Sequence, residues 1–465
     1  MKATNKHIGI TFFAVMLIIG SCKKQDEFLD KKNNNASVVP ATIGDFQAIL
    51  DDYTVMNGIN PNLTNAGCDN IYITDVTLAT LSVTIRNTYT WTPDLFQGAA
   101  SGDWTNPYNM IEHSNIVLDG LDAGPTGTYT QNDYNNVKGQ ALFFRAFSFY
   151  FLAQEFCKTY DSSSAATDEG IIVRLTSDVN APSKRSTVKA GYEQMIADLK
   201  AAIPLLPVTP LYQTRPSQPA ASGLLAKIYL VMGDYKDAAS SATDYLNQVR
   251  ALIDYNTLTK KLNTNPFKTY PNNQEISLYV YCNSDGTAIT GTLNNKAFID
   301  SVFYNSYDST DLRKTIFFQL GTNNAASYLG SYTGSGNQFG GIATNEIYLV
   351  RAESYARLGN ISGAETDLNA LLVNRFKTGK YTPVTTTDAD SLLTRIVQER
   401  RKELAMVGQM RWEDLRRLNK DPRFAKTLLR VSKGTTYTLP PNDPKYVFPI
   451  PDTEITLSGI TQNPR

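Results

Sequence analysis

The chain has 465 residues, and its 44 basic and 44 acidic side chains give a formal net charge of zero. With no basic excess, the composition argues against a nucleic-acid partner. Only two histidines occur, His7 and His113, which excludes multi-histidine metal sites and leaves histidine-assisted catalysis resting on one side chain of the mature protein. The hydrophobic content of 42% is enough for a large core in one or two domains.

Residues 1–21 have the features of a secretory signal, because a positively charged start precedes an apolar run that is short for a membrane span. The sequence Ile19-Gly-Ser-Cys22 then predicts a lipobox in which Cys22 is lipidated; the alternative is a signal peptide with a chance cysteine. We expect residues 22–40 to be the lipidated cysteine and a flexible tether, which would anchor the protein without spanning the bilayer.

Residues 41–465 are expected to form a single domain with two loop-rich insertions, at about 57–102 and 255–340. Within the second insertion, the alternation from Ile276 to Cys282 predicts a strand with two tyrosines on the face opposite the aliphatic side chains. Apolar periodicity predicts helices at residues 45–52, from 104 onward, and at 133–157, 188–203, 220–247, 345–376 and 391–407.

One pattern occurs twice, at Ala226–Ala238 and at Ala352–Ala364, with the form A-x-x-Y-x-x-[LM]-G-[DN]-x-x-x-A. The glycine can adopt the left-handed conformation that ends a helix, and the following Asp or Asn can cap the next one. Either copy alone fits an ordinary helical hairpin, but the agreement of both predicts a tetratricopeptide-like scaffold.

Several motifs together resemble those of the SusD/RagB family of outer-membrane nutrient-uptake lipoproteins of the Bacteroidetes. They cover nearly the whole chain, in the family's order. These motifs are the lipobox followed by Asp26–Asp30, Trp104–Asn115, Lys138–Ala146, Ser186–Val188, Ala226–Asp234, Arg351–Glu353, Glu399–Leu404, Arg411–Arg416, Pro449–Pro451 and Gln462–Pro464.

The resemblance implies a mainly α, SusD-like fold with four tetratricopeptide-like helix pairs, an irregular loop-rich ligand-binding half and small β-hairpins. It also implies a surface-exposed lipoprotein of the outer membrane whose partner is a SusC-like TonB-dependent transporter. Such a protein captures an oligosaccharide and passes it on without catalysis. No cofactor and no metal-binding residue is predicted, and the sequence leaves open whether a structural metal is bound. Two alternatives stay open: a peptide-binding uptake lipoprotein, and a repeat scaffold that serves only protein–protein assembly.

Ligand residues of this family come from the two loop-rich insertions, where aromatic rings can stack on the C–H faces of sugars. Trp91 is the leading candidate because it lies outside the scaffold helices near polar neighbours; the alternative is a wall of the core. Each tyrosine could instead be a half-buried loop anchor. The candidate ligand-binding residues are Asp69, Asn70, Tyr72, Arg86, Trp91, Tyr279, Tyr281, Tyr304 and Tyr307.

The enzyme alternative is a glycosidase that uses two carboxylates, which needs no histidine. The 44 acidic residues show no arrangement that selects such a pair, so no catalytic residue is predicted. Glu399, Arg400 and Arg411 near Trp412 could suggest an active cluster, but we interpret them as a salt-bridge network at helix ends.

Overall fold

The structure of the protein is a computed structural model, which describes residues 39–282, 296–321 and 323–465. Residues from Ile43 onward belong to one unit, and Met1–Thr42 is a separate unit of which only residues 39–42 are described. The predicted signal, Cys22 and nearly all of the predicted tether therefore lie outside the described residues.

Helices make up most of the regular structure of the described residues, as the mainly α prediction requires. Three short 3-10 segments, Ile203–Leu205, Tyr255–Thr257 and Pro444–Tyr446, lie between them. The α-helices are α1 Ile43–Leu50, α2 Tyr53–Met56, α3 Asn62–Gly67, α4 Asp75–Leu78, α5 Val83–Tyr89, α6 Gly102–Asp122, α7 Gln131–Phe156, α8 Val188–Ala202, α9 Gln218–Met232, α10 Tyr235–Gln248, α11 Ser301–Asn305, α12 Arg313–Ile316, α13 Thr344–Arg357, α14 Ile361–Leu372, α15 Ala389–Glu403, α16 Met410–Leu418 and α17 Asp452–Ser458.

Eight helices in the described part of the chain, α6–α10 and α13–α15, form the scaffold of this mainly α fold. Within it, α6 packs on α7, α7 on α8, α9 on α10, α10 on α13, and α13 on both α14 and α15. The very apolar α7 is buried along most of its length. Across the described ranges, every helix is too short or too polar to cross a membrane.

The two helix junctions predicted from the repeated pattern are confirmed. Gly233 and Gly359 adopt left-handed conformations with φ of 77° and 78°. The side chains of Asp234 and Asn360 each accept a hydrogen bond from the backbone N–H three residues further on, at 3.1 and 3.0 Å. The chain therefore turns sharply from α9 into α10 and from α13 into α14 because a glycine and a capping side chain coincide.

The strands are short and pair locally or between insertions. In one sheet, β6 lies between β1, to which it is parallel, and β10, to which it is antiparallel; the other pairs, β2–β7, β3–β4, β5–β11, β8–β9 and β12–β13, are antiparallel. The strands are β1 Gly58–Ile59, β2 Ile71–Tyr72, β3 Glu169–Ile172, β4 Arg185–Thr187, β5 Ile276–Leu278, β6 Tyr281–Cys282, β7 Phe298–Ile299, β8 Phe318–Leu320, β9 Ala326–Tyr328, β10 Gln338–Phe339, β11 Ile342–Ala343, β12 Leu428–Ser432 and β13 Thr435–Leu439.

Side chains of the two loop-rich insertions share a second hydrophobic core, the insertion core, although others, such as Trp91 and Leu278, belong to the main core of the scaffold. Ile71 and Ile85 of the first insertion are buried with Phe303 and Phe318 of the second. The pairing of β2 with β7, which sets Ile71 opposite Ile299, joins the insertions directly. The first insertion contains three short helices, α3–α5, where the sequence predicts a loop-rich segment.

A buried ionic network fastens the second insertion to the scaffold. Glu403, at the end of α15, accepts hydrogen bonds from Arg375 Nε at 2.8 Å and from Arg313 Nη1 at 3.2 Å. Arg313 also pairs with Asp311 at 2.7 Å, and Arg375 with Glu275 at 2.9 Å. Burial alone would raise the pKa of Glu403, but the two guanidinium groups outweigh it and hold that pKa below its ordinary value.

The cluster around Trp412 is a structural network, as predicted. Arg400 pairs with Asp414 and with Glu346, both at 3.0 Å. Trp412 is fully buried, and its ring stacks on Phe448 with a centroid separation of 5.0 Å and an interplanar angle of 8°. These contacts hold α15, α16 and α13 together.

Candidate functional site

Asp69 and Asn70, two predicted ligand residues, hold the framework together instead. The Asp69 carboxylate accepts from Arg411 Nε at 2.6 Å and also pairs with Lys426 and Arg401. Burial pushes the pKa of Asp69 upward, but these cations outweigh it and keep the pKa well below its usual range. Asn70 is buried, and its Oδ1 accepts from Arg401 Nε at 3.1 Å. Both side chains thus tie the first insertion to α15 and α16.

The expectation of an open aromatic face at Trp91 is wrong for this structure. The residue is only 3% exposed, and its Nε1 donates to the Gly67 carbonyl at 3.0 Å. The Arg430 guanidinium carbon lies 4.7 Å from the ring centroid. Arg86, its predicted neighbour in the site, donates to the Leu81 carbonyl at 2.5 Å. The indole is a wall of the core.

Three of the predicted tyrosines pack against other aromatic rings of the insertions rather than lining an open cleft. Tyr307 is buried, and both Tyr304 and Tyr307 set their rings against Phe318 at 5.8 and 5.4 Å between centroids. Tyr72 is half-buried against Phe298, at 5.5 Å. These rings are loop anchors, the alternative considered for them.

The structure brings Tyr279 and Tyr281 together with two tyrosines that the sequence did not single out. The Tyr53 ring stacks on Tyr281 at 4.8 Å and 16°, and lies 6.3 Å from Tyr279; Tyr279 in turn contacts Tyr270 at 5.0 Å. We call these four residues the tyrosine platform. Tyr53 is 41% exposed.

The prediction of an open face at Tyr279 and Tyr281 needs correction. They are only 5% and 7% exposed, because residues 276–282 are covered on both sides. They support the platform, while Tyr53 presents its ring to solvent.

Hydrogen bonds from three parts of the chain hold the platform in place. The Asn57 carbonyl accepts from the Tyr281 N–H at 2.9 Å. The Asn57 side-chain amide donates to the carbonyls of Tyr279, at 2.8 Å, and Thr214, at 2.9 Å. Asp52 caps the short helix that begins at Tyr53. The stacked rings therefore rest on a rigid base, although their segments are far apart in sequence.

A polar rim formed by residues 211–215 and the end of α1 lies beside the platform. Arg215 pairs with Asp51 through two hydrogen bonds of 2.8 and 2.6 Å, and its guanidinium lies 5.3 Å from the exposed Tyr212 ring. Gln213 donates its amide to the Asn273 carbonyl at 3.1 Å, whereas its buried Oε1 has no hydrogen-bond partner among the described residues. Because this oxygen is buried, the rim side chains that a ligand can reach are those of Tyr212 and Arg215.

This arrangement suits binding by stacking and hydrogen bonding. An exposed ring backed by a second ring gives a flat apolar surface, and the rim supplies orientation. Burial raises the pKa of Tyr53, with the Tyr279 hydroxyl adding to the effect, so the Tyr53 hydroxyl stays protonated at neutral pH. Within the described ranges, there is no cluster of three or more His, Cys, Asp or Glu side chains that could hold a metal.

The fold is that of a helical-repeat protein, and the platform is its candidate binding surface. Residues 27–230 match a SusD-like family described as "Starch-binding associating with outer membrane", and residues 331–465 match the SusD family. The chain belongs to the SusD family.

Individual relatives agree with this assignment. The chain is 25% identical to SusD-like protein P2 of Formosa agariphila over 376 residues, which are 69% of this chain and 72% of the relative. The fold is similar to that of a SusD superfamily protein from Bacteroides thetaiotaomicron, with a TM-score of 0.75, 22% identity, and coverage of 91% of this chain and 100% of the other. A laminarin-binding SusD-like protein matches with a TM-score of 0.60 and 19% identity, covering 90% and 97% of the two chains.

Proposed function

We propose that this protein is a surface lipoprotein of the outer membrane that captures an oligosaccharide on the tyrosine platform. It then delivers the glycan, chemically unchanged, to a SusC-like TonB-dependent transporter. The observation that carries the proposal is the exposed ring of Tyr53, stacked at 4.8 Å on the buried ring of Tyr281. The starch-binding description of the matching family and the laminarin-binding neighbour support a glycan as the ligand class.

The platform has the physical properties that sugar capture needs. A sugar ring presents a flat C–H face, and the stacked pair Tyr53 and Tyr281 presents a complementary one. Because the second ring already restrains Tyr53, little conformational entropy is lost when a ligand binds. The guanidinium of Arg215 at the rim can donate hydrogen bonds to hydroxyl oxygens at the edge of the sugar ring.

Membrane attachment through lipidated Cys22 fits this role. Residues 22–40 would keep the binding domain at the membrane while allowing it to move over a transporter. The SusC-like transporter is part of this proposal because the resemblance to the family implies such a partner. The proposed glycan-binding surface does not depend on that partner.

Isothermal titration of a soluble form that begins after Cys22 tests the binding step. Malto- and laminari-oligosaccharides are the probes, with short peptides as the comparison. We expect heat with at least one glycan series and a loss of affinity of at least about tenfold in Tyr53→Ala, because one stacking surface is removed. Tyr129→Ala is the matched control, since Tyr129 is 39% exposed but lies outside the platform.

Each outcome decides between the candidate functions. Unchanged glycan affinity in Tyr53→Ala would contradict the platform as the site. Binding heat with peptides but not with glycans would favour a peptide-uptake lipoprotein. No binding heat with either ligand class would favour a scaffold for protein–protein assembly. Mass spectrometry of the glycan after prolonged incubation should recover it intact, and a shortened product would contradict the proposal of capture without catalysis.

A further inference from the structure

The loop that leads into α9 exposes three apolar side chains beside the tyrosine platform. Val208 is 50% exposed, Leu211 is 73% exposed, and Tyr212 is 52% exposed. Exposed apolar residues that occur singly are ordinary, whereas a cluster of them beside a binding surface marks a contact site. This loop is therefore a candidate for direct contact with a ligand or a partner.

Hydrogen bonds fix the loop to the segment that bears Tyr279. The Gln213 carbonyl accepts from the Tyr279 N–H at 2.7 Å, and the Gln213 amide donates to the Ile276 carbonyl at 2.8 Å. The Arg215 N–H donates to the Tyr212 carbonyl at 3.0 Å, which closes a turn. Since consecutive Cα atoms are about 3.8 Å apart, the Tyr212 Cα lies within about 9 Å of the Tyr279 nitrogen. Tyr212 thus stands next to the platform on a rigid base.

The Tyr212 ring is itself restrained. The Arg215 guanidinium carbon lies 5.3 Å from the ring centroid, and two hydrogen bonds to the Asp51 carboxylate, of 2.8 and 2.6 Å, hold that guanidinium in turn. Within the described part of the chain, the ring packs on no other aromatic ring, so it is separate from the stack of Tyr53 on Tyr281. A ring that is held by a cation and half exposed to solvent is preorganised for stacking.

We propose that Tyr212 is a second stacking subsite, and that the protein takes an oligosaccharide long enough to cover both exposed rings at once. One sugar unit would stack on Tyr53, and a unit further along the same chain would stack on Tyr212. Arg215 lies near both rings, because it contacts Tyr212 and pairs with Asp51, two residues before Tyr53.

This inference rests on the proposed function and narrows its substrate to a chain of several sugar units. Once the first unit is bound, the second contact forms within the same complex, so it strengthens binding only of ligands that reach both rings. The dependence of affinity on chain length is therefore the signature of the second subsite.

A length series of oligosaccharides tests it. The malto and laminari series, from the disaccharide to the heptasaccharide, are titrated into the soluble form that begins after Cys22. Isothermal titration measures the affinity, and saturation-transfer NMR covers the weakly bound short members. In the parent, affinity should rise with length until both rings are covered. Tyr212→Ala should lower the affinity for the heptasaccharide by about three- to tenfold and leave that for the disaccharide unchanged. Tyr212→Phe keeps the ring and should bind as the parent does.

The variant Tyr53→Ala separates this inference from the proposed function, because losing the first stacking surface should weaken binding at every length. Tyr129→Ala, which changes an exposed ring outside the platform, should match the parent throughout. If Tyr212→Ala bound every length as the parent does, the second subsite would be overturned while the platform stood, and the loop would be a protein contact. An equal loss at every length would overturn it too, since Tyr212 would then share one subsite with Tyr53. No binding of either series by the parent would contradict the proposed function itself, and this inference with it.

Discussion

Replacing Trp91 by Ala should destabilise the protein severely. Truncating a buried Trp to Ala typically costs about 3–5 kcal/mol of unfolding free energy. The change also leaves the Gly67 carbonyl without its 3.0 Å hydrogen bond and removes the ring beside Arg430, each worth about 1 kcal/mol. Because these contributions overlap, we expect a loss of about 4–5 kcal/mol.

Urea unfolding followed by far-UV circular dichroism measures this loss. Trp91→Phe keeps a ring beside Arg430 but removes the indole N–H, so it should cost only about 1–2 kcal/mol. Tyr53→Ala is the exposed comparison and should change the unfolding free energy by less than about 1 kcal/mol.

A small effect would refute this reasoning. If Trp91→Ala unfolded within about 1 kcal/mol of the parent and lost glycan binding, Trp91 would be an open ligand residue. The buried Trp91 ring would then represent a closed state of the protein that opens when the ligand binds.

Three further substitutions test the framework by urea unfolding. Glu403→Ala should cost about 3–5 kcal/mol, because Arg313 and Arg375 stay buried without this shared carboxylate; a cost below about 1 kcal/mol would contradict the network. Gly233→Ala should cost about 1–2 kcal/mol at its left-handed φ of 77°, and a neutral result would contradict the junction. Burial raises the pKa of Glu155 in the folded protein well above its ordinary value of 4.5. The unfolded chain therefore loses this proton at a lower pH than the folded protein does, so the free energy of unfolding falls as the pH rises above 4.5. Glu155→Gln cannot ionise and should be more stable than the parent at neutral pH, with a difference that shrinks toward pH 4.5; a difference that grows on acidification would contradict this.

The scaffold was predictable because its signals are local. A helix end at Gly233 and a cap at Asp234 lie in adjacent positions, so the sequence contains both halves of the junction. The first insertion was harder. Its helices, such as α4 over Asp75–Leu78, span only four to seven residues, and they depend on burial in the insertion core rather than on their own periodicity.

The sequence predicts Tyr279 and Tyr281 of the candidate site but not Tyr53, because the contacts that bring these rings together are long-range. Tyr53 meets Tyr281 across more than two hundred residues, and no local pattern marks a tyrosine in a four-residue helix as a binding surface. Trp91 was misjudged for the same reason. The side chain that covers its ring, Arg430, comes from the distant β12–β13 hairpin.

A crystal structure of the soluble protein with a bound oligosaccharide tests the central claim most directly. We predict a sugar ring stacked on the exposed face of Tyr53, with a hydroxyl group within hydrogen-bond distance of Arg215. Glycan bound elsewhere with the Tyr53 ring bare would contradict the account.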